Sequence, residues 1–139
     1  MPLTLPNSAP SQYTSSRQLI AGSDVNNLTS QLNTGSSGIV ARAGGGQALA
    51  TPLTSHVNNI ATVASATDSI RLPLGFPGLE VWVRNAGANS AQVFTSRTGT
   101  INGTDSVATG VALAVAANSA TIYKCLAVSG AGAETWVSK

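Results

Sequence analysis

Between Asp68 and Arg84 apolar residues occupy every second position twice over: Ile70, Leu72 and Leu74, then Leu79, Val81 and Val83, with Gly75-Phe76-Pro77-Gly78 between the runs. A period of two belongs to a strand with one buried and one solvated face, whereas a helical face recurs about every 3.6 residues. The Gly/Pro cluster between the runs supplies a turn. Similar signals continue on both sides. Two strands are expected between Gln47 and Ala64, one from Ala91 to Arg97 after the turn residues Asn85-Ala86-Gly87, one from Val111 to Ala116, one from Ser119 to Val128, and a last one around Trp136. Asn102-Gly103, between Ile101 and Thr104, predicts a hairpin because both residues tolerate the positive φ of a type I′ turn. The sequence therefore predicts an all-β domain over 47–139, a sandwich, jelly roll or barrel of about seven or eight antiparallel strands.

The first third of the chain follows other rules. Residues 1–22 carry Pro2, Pro6 and Pro10 among serines and threonines. Proline fixes φ and drives its predecessor toward extended backbone, so this segment is expected to be an extended N-terminal arm. Its apolar points are Leu3, Leu5, Tyr13, Leu19 and Ile20, too scattered for a core of their own. Residues 23–46 are expected to form a short helix followed by a Gly-rich linker. Ser23 or Asp24 caps the helix, Val25, Leu28 and Leu32 make its single apolar stripe, and Gly35 ends it. Gly35, Gly38 and Gly44-Gly45-Gly46 mark the linker. A stripe this thin must pack against a domain or against copies of itself.

Composition narrows the function. Charged residues are 9% of the 139, against a usual value of about 25%. The seven basic residues Arg17, Arg42, Arg71, Arg84, Arg97, Lys124 and Lys139 are dispersed, without the clustered cations and stacking aromatics that nucleic acid requires. No nucleic-acid partner is expected. Nor is a membrane, since no apolar run approaches the ~18 residues of a span and the N-terminal segment lacks a charged export signal. Synthesis in a cytoplasm is the expectation. The sequons at Asn27 and Asn102 are then chance matches.

The residue types for catalysis are few. One histidine, His56, would have to serve any nucleophile triad together with Asp68 or Asp105, and no Gly-x-Ser-x-Gly elbow fixes such a geometry. Five acids in separate elements give no glycosidase pair. A single cysteine, Cys125, excludes an intrachain disulfide and a cysteine-rich zinc site, and it is expected to be a buried apolar residue. Asp68 and Asp105 are expected to bond turn amides. No enzyme activity, cofactor or metal follows from these residues.

Trp82 is the exception to the solvated face of its strand, lying opposite Val81 and Val83 between Glu80 and Arg84. It is either an exposed interface anchor or is covered by a second sheet or by the arm.

Residues 21–34 (AGSDVNNLTSQLNT) and the stretch from Thr67 onward resemble small virion-surface proteins of tailed bacteriophages. The features that carry the resemblance are the arm, the short helix, Asp-Ser-Ile-Arg-Leu-Pro at 68–73, Val-Arg-Asn-Ala-Gly-Ala at 83–88, Thr-Ile-Asn-Gly at 100–103, and a C-terminal segment with Cys125 and Trp136. It implies a capsid decoration, cement or head-fibre subunit on the outside of a virion, usually a homotrimer, bound to the major capsid protein or another virion protein. In that setting Leu3, Leu5, Tyr13, Leu19 and Ile20 are the expected capsid-binding points, and Val25, Leu28, Leu32 and Trp82 the expected oligomer interface. The alternative is a tail-fibre or spike module that binds a receptor. Of the six aromatic residues none lies in the segments 85–90, 102–110 or 129–134, which favours decoration.

Overall fold

The computed structural model describes residues 35–44, 46–106 and 113–139, all of them strand, turn or irregular backbone. The expected arm and short helix lie outside the described residues. Eleven strands follow one another: β1 (Gly35–Val40), β2 (Thr51–Pro52), β3 (Val57–Thr62), β4 (Ser69–Arg71), β5 (Glu80–Asn85), β6 (Ala91–Phe94), β7 (Gly99–Ile101), β8 (Thr104–Asp105), β9 (Leu113–Val115), β10 (Ser119–Val128) and β11 (Glu134–Ser138). They form a seven-stranded sheet in the order β1-β3-β5-β10-β11-β7-β8 and a four-stranded sheet in the order β2-β4-β6-β9.

The first six strands alternate between the two sheets, and their neighbours within each sheet are parallel. Each pass of the chain thus lays one strand on each sheet before returning beside its predecessor. The later strands reverse this: β9 runs antiparallel to β6, and β10 runs antiparallel to both β5 and β11. β7 returns parallel to β11 and turns through Asn102 (φ 53°) and Gly103 (φ 78°) into β8. The Asn-Gly hairpin is where the sequence places it.

Two expectations are corrected. The strands are not uniformly antiparallel, and they number eleven among the described residues, several only two or three residues long. Alternation sets which face of a strand is buried but is blind to the direction of its neighbour, because side-chain period is the same in both pairings. Second, residues 35–40, expected as linker, are β1. Gly38, at φ 74°, sits where the register to β3 shifts between Ser36 and Ile39, so a glycine that reads as linker is a bulge in an edge strand.

One apolar cluster joins both sheets. Ile60, Val81, Val83, Ile101, Tyr123, Cys125 and Trp136 come from the larger sheet, and Ile70, Ala91, Val93 and Val115 from the smaller. Each large apolar side chain so buried contributes roughly 1.5–3 kcal/mol relative to exposure. Polar groups close one edge of this core. Asn85 Nδ2 donates to the carbonyls of Asn89 (2.8 Å) and Val115 (3.0 Å), and its Oδ1 accepts from Gly87 N (2.9 Å). Asn89 Nδ2 in turn donates to the carbonyls of Val63 and Ala64. Gly87 packs so closely that a Cβ there would lie 2.6 Å from Val63 N.

Candidate functional site

β5 divides its side chains cleanly. Val81, Val83 and Asn85 are buried, while Glu80, Trp82 and Arg84 point to the other face. Trp82 lies directly between Val57 on β3 and Ile122 on β10. Directly paired residues share a face, so these three form an apolar row across three adjacent strands. Trp82 is 46% exposed and Val57 49%, and Ile122 is half-buried. The smaller sheet packs on the Val81 and Val83 side and leaves Trp82 open to solvent.

Polar rows border this strip. On one side Glu80 faces Lys124, with a carboxylate-to-ammonium distance of 3.2 Å. Beyond the strip on the other side Arg84 Nη1 donates to Asn59 Oδ1 at 3.2 Å, with Ala120 paired alongside. Val57, Asn59, Trp82, Arg84 and Ala120 line a shallow groove there. An apolar centre with a polar rim is the anatomy of an interaction surface, with tryptophan as its usual anchor.

Of the binding and interface residues expected from the sequence, Trp82 alone is placed. Leu3, Leu5, Tyr13, Leu19, Ile20, Val25, Leu28 and Leu32 lie outside the described residues. Of the candidates for chemistry, Asp68 has a structural role. Asp68, on the turn before β4, accepts the amides of Ala64 (2.8 Å) and Ser65 (3.1 Å) on Oδ2, as its turn position suggests. His56 is half-buried just before β3, and its Nδ1 is buried without a hydrogen-bond partner. A triad places its orienting carboxylate on that kind of nitrogen. Among the described residues no group of three or more His, Cys, Asp and Glu side chains gathers as a metal site.

Glu134 does not stand out in the sequence. It is buried at the start of β11, where Oε1 accepts from Gly75 N (2.9 Å) and Oε2 from Ser96 N (3.2 Å) and Trp136 Nε1 (3.0 Å). One carboxylate thereby ties the turn after β4 and the segment after β6 to the last strand. A glutamate before a strand gives no sign of this, because two of its three donors are ordinary backbone amides remote in the chain; Trp136 two residues on, sharing its face, is the sole local hint. Cys125 lies fully buried beside this group, as expected for a small apolar residue. Burial pushes its thiol up, the Glu134 charge pushes it further, and a backbone hydrogen bond at Ala127 opposes them. Burial likewise pushes the Tyr123 phenol well above its ordinary range.

No family model, curated protein or solved structure matches this chain.

Proposed function

We propose that this protein is a non-enzymatic structural subunit of a virion, a capsid decoration or cement protein that binds the phage head as a homotrimer through its N-terminal arm and stabilises it. The observation that supports this reading best is the Trp82 strip: an all-strand domain presents an apolar row, Val57, Trp82 and Ile122, on the outer face of its larger sheet, which suits assembly with other protein surfaces. The two sheets around one core are read as a sandwich whose first half is coiled. In this scheme the arm threads a groove on the shell, where an extended segment gives a large contact area per residue and prolines lower the entropy lost on docking. Three arms in one trimer multiply modest contacts into avidity.

The test mixes a chain lacking residues 2–20 with particles stripped of the native protein. The truncated chain is expected to stay folded by circular dichroism and to fail to co-sediment. Binding at the affinity of the full chain would move attachment to the β domain.

One observation favours a second reading, a tail-fibre or spike module that binds a receptor: Trp82 with Glu80, Arg84 and Asn59 around it has the make-up of a sugar-stacking platform. Binding of the purified protein to host cells, lost on Trp82→Ala, would support that reading over decoration.

A further inference from the structure

We infer that the Trp82 face is a self-complementary contact, which seats a second copy of the same face across a two-fold axis running perpendicular to the strands. The order of the three rows points to this arrangement. Along β5 the outward residues are Glu80, Trp82 and Arg84, so a negative charge and a positive charge flank the apolar row at equal distances, about 7 Å each at strand spacing. A two-fold axis laid along the apolar row reverses the strand direction and keeps the position across the sheet. Trp82 then meets Trp82, Val57 meets Val57, and Ile122 meets Ile122. Glu80 of each copy comes over Arg84 of the other, twice per contact, and Lys124 comes over Ala120, which is uncharged.

Turning the axis through a right angle is worse. An axis along the strands would set Glu80 over Glu80 and Arg84 over Arg84. Like charges across a desolvated interface are costly, and this selects the first arrangement. Sheets stacked face to face lie about 10 Å apart, a gap that Glu and Arg side chains bridge and that two tryptophans fill. Lys124 remains on Glu80 of its own chain at 3.2 Å, so the carboxylate would lie between two cations. Isologous contacts of this kind are the commonest among homo-oligomers. The contact takes Trp82 out of the three-fold interface expected from the sequence, and it stands whether or not the protein resides on a particle.

Charge complementation tests it on the full chain, with mass measured by light scattering from ~10 μM to ~1 mM at low salt, where surface charges act most strongly. Glu80→Arg places two arginines over each other, and Arg84→Glu places two glutamates over each other, so each variant alone should lose the association that the wild type shows. In an equimolar mixture of the two variants, both charge pairs re-form between unlike chains: the introduced arginine faces the introduced glutamate, and the unchanged Arg84 of one chain faces the unchanged Glu80 of the other. The mass of the mixture should be at least double that of either component, whether those components are monomers or trimers. Trp82→Ala should weaken self-association by roughly thirty-fold or more, as expected for an interface hot spot. A mixture that keeps the mass of its components overturns the inference. So does association that appears only when residues 2–20 are deleted, which would make the arm the occupant. Saturable quenching of Trp82 fluorescence by soluble glycans without self-association would assign the face to a sugar instead.

Discussion

Removing the Glu134 carboxylate tests the account of how this domain is held together. The side chain is 1% exposed and accepts from Gly75 N, Ser96 N and Trp136 Nε1. Glu134→Ala leaves the buried Trp136 Nε1–H and two partly buried backbone N–H groups without an acceptor; an unsatisfied buried donor costs about 1–3 kcal/mol, and water reaching the partly buried amides holds the total to about 3–5 kcal/mol. For the compact unit Thr34–Lys139 the unfolding entropy corresponds to roughly 0.2 kcal/mol per degree, so Tm should fall by about 15–25 °C. Glu134→Gln is the informative control. Its amide oxygen still accepts on one side, while its NH2 faces an N–H donor on the other, which should cost about half as much. Far-ultraviolet circular dichroism melts measure both. A Tm drop below about 5 °C for the alanine variant, or an equal drop for both variants, would show that the carboxylate is not the tie described. The glutamine substitution also removes a charge that raises the Cys125 thiol, so alkylation of Cys125 should accelerate in Glu134→Gln even under conditions where the fold is intact.

Gly87→Ala should destabilise by about 1–3 kcal/mol, seen in urea melts, because the added Cβ meets Val63 at 2.6 Å within a buried turn. Stability should also fall at alkaline pH. The native state holds Cys125 and Tyr123 protonated above their unfolded pKa values, so the unfolded state binds fewer protons there; their contribution is intact below about pH 8.5 and is lost progressively above it, first through Cys125 and from about pH 10 through Tyr123. Urea midpoints from pH 7 to pH 11 check this, and Cys125→Ala should flatten the first part of the decline. Particle binding through the arm should change little between ~50 and ~500 mM salt, since Arg17 is the one charged residue between Met1 and Ser23; co-sedimentation at the two salts measures it.

Much of the β domain is legible in the chain because strand formation here is a local matter. Ser119–Val128 is found as expected, and the run Leu79, Val81, Val83 becomes the buried side of β5. Asn102-Gly103 makes its turn for reasons internal to those two residues. The solvent-facing position of Trp82 follows from the same alternation, since its neighbours Val81 and Val83 take the core. That the second sheet leaves it uncovered does not follow, because that depends on which side this sheet packs.

Orientation, sheet membership and the buried carboxylate were decided only by tertiary structure. Parallel and antiparallel neighbours impose the same period of two, so β1, β3 and β5 carry no mark of running parallel, nor β2, β4 and β6 of forming a separate sheet. Gly35–Val40 has the composition of a linker and becomes a strand because β3 offers it a ladder of amides and carbonyls. Glu134 looks like any surface acid until folding brings Gly75 and Ser96, far away in the chain, around its oxygens. A residue's own chemistry and nearest neighbours determine its turn and its face. Its partner across the core depends on the path of the whole chain.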